Sequence, residues 1–193
     1  MPDSTTEAAP AARPDLAGRV DGWRIDLGCG APHQKYAGCI GIDANPQYTP
    51  DILLDADHGL PFADNTLDFI NSDNSLEHFR NPHFILRECL RVLRPGGDVR
   101  LILPNCQYLP LGILNLFYDI NKFWHWYMNL PWKRERSVHF TLYTKHLAVQ
   151  VAEDVGFQVT KAKGLLYSKE ITLLLRKPLP GEGPTTRAQT WKR

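Results

Sequence analysis

The stretch Trp23-Arg24-Ile25-Asp26-Leu27-Gly28-Cys29-Gly30 decides the fold of this chain. Its first five residues form a short run that is typical of a strand, and glycines follow at once. Glycine adopts positive φ without steric cost and lets the backbone approach a ligand closely. The stretch therefore predicts a strand that leads into a ligand-binding loop.

Apolar runs and helical patterns alternate after this stretch. Further strands are predicted at residues 39–42, 52–54, 67–71, 99–103, 157–162 and 170–175. One helix is predicted after Asn81 as N-cap, with Pro82 at its first position and Pro95-Gly96-Gly97 as its stop. A second helix is predicted from Thr144 to Gly156. This alternation indicates a parallel sheet with helices on its faces, which binds ligands beyond the carboxyl ends of its strands.

Acidic residues stand at the predicted ends of three successive strands: Asp26, Asp43 and Asp55. Asp43 follows Asp26 by 17 residues, and a carboxylate there can accept hydrogen bonds from adjacent ribose hydroxyls. His33 occupies the place where the dinucleotide fingerprint needs its third glycine. A carboxylate beside the glycines opposes a pyrophosphate but suits a cation. A ribose, an adenine and a cationic amino-acid group are together the parts of S-adenosylmethionine.

Four sequence blocks then appear in a fixed order. They are Asp-Leu-Gly-Cys-Gly at 26–30, Gly-Ile-Asp at 41–43, Leu-Pro-Phe-Ala-Asp-Asn-Thr-Leu-Asp at 60–68, and Ser-Leu-Glu-His-Phe at 75–79 leading into Arg-Val-Leu-Arg-Pro-Gly-Gly at 91–97. With them, residues 25–105 resemble the class I S-adenosylmethionine-dependent methyltransferases of the type 11 kind. The resemblance implies an α/β, Rossmann-like three-layer sandwich, with a mostly parallel seven-stranded sheet whose last strand is antiparallel.

The resemblance also implies where the cofactor, S-adenosylmethionine, binds. The glycine loop should pass under the methionine part, Asp43 should hold the ribose, and Asp55 or its competitor Asp57 should meet the adenine edge. Residues at the end of the fourth strand should lie beside the sulfonium. The implied cofactor-binding residues are Asp26, Gly28, Cys29, Gly30, Asp43, Ala44, Asp55, Ala56, Asp57, Asn71 and Ser72.

Catalytic residues are harder to assign from the sequence. A hydroxyl acceptor needs a base, and we expect Asp73 or His139 in that role, with His33 less favoured. The pair Glu77-His78 is interpreted as part of a helix turn that serves packing. No metal ligands are expected, because the cysteines form no CxxC pair and no histidine lies at zinc-finger spacing. The four cysteines are interpreted as small buried thiols in a reducing cytoplasm.

The first crossover departs from the family pattern. Only nine residues separate Gly30 from Ile40, and they include Pro32 and Gly38, so a full helix does not fit. We expect a short or irregular crossover that leaves the cofactor more exposed than usual. A subset with this short crossover and the same Leu-Glu-His and Pro-Gly-Gly blocks resembles methyltransferases linked to surface-polysaccharide and glycolipid synthesis.

Aromatic residues concentrate in a predicted helical insert at 106–136. Between Tyr108 and Trp132 stand eight of the chain's 20 aromatic residues, many of them at three- and four-residue steps. Three interpretations stay open: a helix packed on the sheet edge, a lid over the acceptor pocket, or a helix at a membrane surface that uses residues 108–136. The last two are compatible if the acceptor is a lipid-linked glycan.

Composition limits the remaining classes of function. The 22 Lys and Arg residues nearly balance the 21 Asp and Glu residues, so no nucleic-acid partner is expected. Low apolar content predicts a disordered leader at 1–18 and a flexible tail at 178–193 around a methyltransferase domain at 19–177.

We expect a cytoplasmic enzyme, with peripheral contact at the inner membrane face left open. It should methylate a small-molecule, glycan or lipid-linked acceptor at oxygen. The alternative is a non-catalytic module that binds cofactor or partner.

Overall fold

The computed structural model describes residues 22–108, 139–165 and 167–182. Within them two α-helices, α1 (Pro82–Val92) and α2 (Lys145–Val155), accompany seven strands. Three 3-10 turns lie at Pro46–Tyr48, Ala56–His58 and Leu76–His78. The strands are β1 (Trp23–Leu27), β2 (Ile40–Asp43), β3 (Ile52–Leu53), β4 (Leu67–Asp73), β5 (Leu93–Pro104), β6 (Gln158–Lys163) and β7 (Glu170–Arg176).

All seven strands form one sheet in the order β3-β2-β1-β4-β5-β7-β6. The strands β1 to β5 pair in parallel, and β7 pairs antiparallel with both of its neighbours. This confirms the predicted fold class. The strand order reverses between β1 and β4, and such a switch point opens a crevice at the carboxyl ends of the strands.

One face of the sheet carries the hydrophobic core. A row of fully buried side chains crosses it in register, from Ile25 through Ile70 and Val99 to Leu175. Both helices cover this face, since their buried residues belong to the same core cluster and the helices contact each other. Burial of this apolar area is the main source of stability, at about 25 cal/mol per Å².

The opposite face is polar and lies against the first crossover. Strand alternation places Arg24, Asp26, Phe69 and Arg100 on it. The Tyr36 ring packs 5.8 Å from Phe69, and the Arg100 guanidinium lies 5.2 Å from the Tyr36 ring. No helix joins β1 to β2 within described residues 22–108, which confirms the expected short crossover. The Arg24 guanidinium lies 4.7 Å from the centroid of the Phe69 ring. Tyr36 and these two arginines cover part of the surface that a crossover helix would otherwise cover.

The helices begin where the sequence predicts. The Asn81 side chain accepts a hydrogen bond from Phe84 N at 3.0 Å, with Pro82 in the first turn of α1. Thr144 Oγ1 caps α2 by accepting from Leu147 N at 3.1 Å. Gly156, at φ +114°, ends α2 in the left-handed conformation. These caps satisfy backbone groups that the helix itself leaves unpaired.

The stretch Pro95-Gly96-Gly97 differs from its predicted role as a plain helix stop. Helix α1 already ends at Val92, and β5 begins at Leu93, six residues before the predicted strand. An irregularity in the pairing with β4 accommodates these residues, with Gly96 at φ +80°. Gly96 N donates to Lys177 O, and Lys177 N donates to Gly97 O, each at 2.9 Å. The stretch therefore forms part of the sheet.

Arg91 joins the third sequence block, at 60–68, to the fourth, in which it lies itself. Its guanidinium donates to the carbonyls of Leu60 and Phe62 at 3.0 and 2.8 Å. It also forms ion pairs with Asp64 and Glu88, each at 2.8 Å. The bond with Glu88, followed by that with Asp64, raises the pKa of Arg91. Together the four contacts hold the loop before β4 against α1.

Several predicted segments lie outside the described residues. They are the leader at 1–18, nearly all of the insert at 106–136, and residues 183–193 of the tail. The domain boundaries therefore remain predictions. Among the residues that the structure does describe, no helix has the length and apolar character needed to cross a membrane.

Candidate functional site

A cleft of about 940 Å³ opens at the carboxyl ends of β1 to β4. The ends of these strands, the glycine loop and the three 3-10 turns contribute its walls. Nine of the predicted cofactor residues line it: Asp26, Gly28, Cys29, Gly30, Asp43, Ala44, Asp55, Ala56 and Asp57. The predicted base Asp73 lines it as well.

Backbone bonds fix the glycine loop at the floor of the cleft. The amides of Gly28 and Cys29 both donate to Ile42 O, at 2.8 and 3.1 Å. Gly28 has φ +70°, and a Cβ on it would lie 2.4 Å from Ser75 Cβ. Any other residue there would be strained and would clash, so the close approach between loop and turn explains this glycine.

Asp43 connects the glycine loop with the segment after β2. Its Oδ2 accepts from Gly30 N at 3.0 Å, and its Oδ1 accepts from Asn45 N at 2.8 Å. A carboxylate offers about four lone-pair positions, so each oxygen can accept one more hydrogen bond. A ribose with two adjacent hydroxyls fits those free positions.

Asp26 is an almost fully buried acid, 2% exposed, on the wall of the same cleft. Its Oδ2 accepts from Tyr36 N at 2.7 Å, and its Oδ1 accepts from Asn71 Nδ2 at 2.6 Å. The side chain thus anchors the short crossover to β1 and β4. Its negative charge also makes this part of the cleft suited to a cationic ligand.

Asp55 and Asp57 have different surroundings. Asp55 caps the turn Ala56–His58 by accepting from Asp57 N at 3.0 Å, and Ala56 beside it is buried. The Asp57 carboxylate accepts from Arg80 N at 3.2 and 3.4 Å. Both oxygens of Asp57 therefore bind the chain before α1, which favours Asp55 for contact with an adenine edge.

The residues at the end of β4 divide into two groups. Asp73 is exposed, lines the cleft and lies 3.6 Å from Arg100 Nη1. Asn71 and Ser72 are buried: Asn71 accepts from Arg100 at 2.7 Å, and Ser72 Oγ lies 2.6 Å from Ser75 Oγ. Neither Asn71 nor Ser72 lines the cleft within the described residues, because the strand end packs them underneath it. Their contact with the cofactor stays a prediction.

His139 lies behind the cleft wall. Its ring packs edge-on against His78 with 4.6 Å between ring centroids, and His78 lines the cleft whereas His139 does not. Burial, with a smaller effect of His78, lowers the pKa of His139 to about 4. The imidazole is then neutral at pH 7. Asp73 is the better-placed candidate base, because it lines the cleft whereas His139 does not.

Glu77 occupies the same neighbourhood and is fully buried. Its Oε1 lies 3.9 Å from His78 Nε2 and 4.0 Å from His139 Nε2. Burial raises the pKa of Glu77 to about 7, with a smaller contribution from Asp73. The structure thus brings together Glu77, His78 and His139, which the sequence separates by 62 residues at most.

Several lining residues were not predicted to belong to the site from the sequence: Gln34, Asn45, Pro46, Tyr48, Asn74, Ser75, His78 and Phe79. The Asn45-Pro46 pair could have indicated the turn after β2, because Asn45 caps it with a 3.0 Å bond from Gln47 N. Ser75 could have been found as the first residue of the fourth block. Tyr48 has no comparable local signal.

Comparison with known proteins agrees with this geometry. Residues 25–101 match the family model of the methyltransferase domain. The chain is 34% identical over 88 residues to the ubiquinone/menaquinone biosynthesis C-methyltransferase UbiE of Cupriavidus metallidurans. That alignment covers 46% of this chain and 33% of the relative, so the match spans only a third of the relative's length.

Solved structures share the fold at low sequence identity. An S-adenosylmethionine-dependent methyltransferase of Thermotoga maritima superposes with a TM-score of 0.59 at 15% identity, over 82% of this chain and 83% of that one. One from Aquifex aeolicus gives a TM-score of 0.54 at 19% identity, over 79% and 80%. These neighbours show the shared fold. The domain match supports S-adenosylmethionine as the cofactor, and the acidic cleft with its glycine loop fits it.

Proposed function

We propose that this chain, whose residues 25–101 match the methyltransferase domain, transfers the methyl group of S-adenosylmethionine to an acceptor oxygen. The observation that carries the proposal is the cleft itself. It joins a closely packed glycine loop, the free lone pairs of Asp43 and a buried acid, Asp26, at the switch point of the sheet. A ribose and a cationic amino-acid group find matching chemistry there.

The residues of the cleft bind the cofactor and orient its methyl group. The Asp43 carboxylate accepts hydrogen bonds from the ribose hydroxyls, and the turn at Asp55-Ala56 contacts the edge of the adenine. The negative charge of Asp26 favours the cationic methionine end over a pyrophosphate. Binding of this kind places the methyl group in line with an acceptor. The entropy of alignment is then lost on binding, so it no longer adds to the activation barrier of methyl transfer.

S-adenosylmethionine supplies an activated methyl group when it is bound. The protein therefore needs to hold the acceptor, exclude water and take up one proton from an acceptor hydroxyl. Asp73 is our candidate proton acceptor, because it lines the cleft at the end of β4. Asn74 Nδ2 donates a hydrogen bond of 2.9 Å to its carboxylate and orients it.

The proposed acceptor is a small molecule or a glycan, including a lipid-linked one. Its support is the resemblance to the subset linked to polysaccharide and glycolipid synthesis, together with the aromatic sequence at 106–136, because aromatic faces stack on sugar rings. The UbiE relative is a C-methyltransferase by name, so a carbon acceptor is the competing outcome.

The test is methyl transfer from labelled S-adenosylmethionine to cell extract separated into lipid, glycan, protein and nucleic-acid fractions. We expect label in the glycan or lipid fraction, with an alkali-stable ether at oxygen. Label on carbon would correct the acceptor atom. Cofactor binding without any labelled product would favour the non-catalytic module instead.

Binding itself is tested by calorimetry with S-adenosylhomocysteine. Asp43→Ala should weaken binding by roughly 100-fold, since it removes the ribose contacts and one anchor of the loop, at 1.4 kcal/mol per tenfold. Asp64→Ala is the matched control, because that exposed acid pairs with Arg91 away from the lining residues. Equal affinity of both variants would refute the proposed cofactor site.

A further inference from the structure

Glu77, His78 and His139 form a compact cluster beside the cofactor cleft. One ligand-capable atom from each lies within 4.8 Å of the other two. The Glu77 Oε1 distances to the two imidazole nitrogens are 3.9 and 4.0 Å. Such spacings are too long for direct hydrogen bonds, which close at about 3 Å.

The Glu77 carboxylate lacks the partners that a buried charge requires. Its residue is 0% exposed, and neither oxygen has a hydrogen-bond partner within the described part of the chain. An isolated buried carboxylate is costly, and proteins hold such groups in ion pairs or as metal ligands. A cation between Glu77 and the two imidazoles would resolve both the missing bonds and the wide spacing.

Backbone bonds keep the three side chains in place. Glu77 O accepts from Phe140 N at 2.8 Å and from Thr141 N at 3.3 Å, which ties the segment after His139 to the turn Leu76–His78. His78 N donates to Ser75 O at 3.0 Å within that turn. The ligand atoms are thus presented by two chain segments that are locked together.

The donor set indicates which ions fit. Two imidazole nitrogens and one carboxylate suit Zn²⁺ and similar first-row divalent ions better than Mg²⁺ or Ca²⁺, which prefer oxygen. Zinc ligands lie about 2.0–2.2 Å from the ion, which puts tetrahedral ligand atoms roughly 3.4 Å apart. The Glu77 separations of 3.9 and 4.0 Å exceed that spacing by about 0.5 Å, and all three ligand atoms lie within 4.8 Å of one another, so side-chain rotation would bring them to the ion.

We propose that Glu77, His78 and His139 bind a divalent transition-metal ion of the zinc class beside the cofactor cleft. Three protein ligands leave a coordination position open, as in catalytic zinc sites. His78 and Asp73 both line the cleft, so an ion held by His78 would border the same space as Asp73. Resting on the proposed function, the ion would hold an acceptor oxygen there and favour its deprotonated form.

The site is tested with the full chain, freed of metal by chelation and titrated with Zn²⁺, and with Co²⁺ followed by its visible absorption. We expect one equivalent to bind, with Co²⁺ bands typical of nitrogen and oxygen ligands. Losing a partner of a metal ligand costs about 10- to 100-fold in affinity, so losing a ligand itself should cost at least tenfold.

We expect this loss of metal affinity in three variants: Glu77→Gln, His78→Ala and His139→Ala. The control is His58→Ala, whose ring is 81% exposed on the turn Ala56–His58 and outside the cluster. Glu77→Gln removes a buried charge, so the metal-free variant should unfold at the same temperature as the wild type or higher. Its loss of metal binding would then not reflect misfolding.

Absence of stoichiometric binding to the wild type would overturn the proposal, as would equal losses in His58→Ala and the cluster variants. The readout is independent of catalysis. Metal binding without methyl transfer would leave the site standing and remove the proposed function, whereas methyl transfer by a chain that binds no metal would remove the site and leave the proposed function standing.

Discussion

Cys29 places a thiol inside an acidic cleft, and its reactivity reports on that environment. Burial, followed by the charges of Asp43 and Asp26, raises the pKa of Cys29 to about 11. Only the thiolate is alkylated, so at pH 8 the folded protein should react with iodoacetamide roughly 100-fold more slowly than the unfolded chain. The rate should rise about tenfold per pH unit up to that pKa.

Peptide mass spectrometry of alkylated Cys29 against pH measures this effect, with the chain in guanidinium as the control. Rates that are equal in the folded and unfolded states would contradict the described surroundings of the thiol.

Gly28 and Gly38 offer a matched pair at the residue scale. Both have positive φ, +70° and +76°, but a Cβ on Gly28 meets Ser75 at 2.4 Å whereas Gly38 has nothing within 4 Å. Gly38→Ala should cost about 1–2 kcal/mol of unfolding free energy from the backbone alone. Gly28→Ala should cost about 1–3 kcal/mol more because of the clash. Urea unfolding of both variants tests the difference, and equal losses would argue against the contact between loop and turn.

At the scale of elements, the short crossover depends on Tyr36. Its ring contacts Phe69 and lies under the Arg100 guanidinium. Aromatic pairs and cation–π contacts contribute about 0.5–1.5 and 0.5–1 kcal/mol, so Tyr36→Ala should lose roughly 1–2 kcal/mol. Tyr167, which is 75% exposed, is the control, and its replacement by alanine should stay within about 0.5 kcal/mol. Denaturant unfolding compares the two, and similar losses would mean that the crossover is held by its backbone alone.

Elements with strong local signals were predictable from the sequence. Asn81-Pro82 and Thr144 mark helix starts because capping is a local matter, and β1 ends where its glycines begin. The start of β5 was not predictable. Pro95-Gly96-Gly97 looks like a terminator, but Lys177, which lies 80 residues further along, pairs with it and extends the sheet.

The candidate site likewise has residues that local patterns place and residues that only tertiary packing places. Asp26, Asp43 and Asp55 could be placed on one edge because the carboxyl ends of parallel strands meet there. The packing of Asn71 and Ser72 under the cleft depends on Arg100 and Ser75, which pattern alone does not bring near. The approach of His139 to Glu77 is likewise a tertiary contact without a local signal.

At the scale of the whole molecule, ligand binding should appear as stability. A ligand at 100 times its Kd stabilises the native state by about 2.7 kcal/mol. For a domain of this size that corresponds to a rise of about 5–10 °C in Tm. Differential scanning fluorimetry with S-adenosylhomocysteine should show this shift in the wild type, and Asp43→Ala should lose it. A shift that survives in Asp43→Ala would place the ligand elsewhere.

The open surroundings of Gly38 also make the crossover a place for engineering. Nothing lies within 4 Å of a Cβ there, yet eight residues upstream Gly30 N bonds to Asp43 in the cleft. A peptide tag or a fluorescent label spliced into this segment would sit outside the core and close to the ligand loop. A fluorescent label in the crossover would report optically on the cleft, which suits the screening of a compound library for molecules that occupy it.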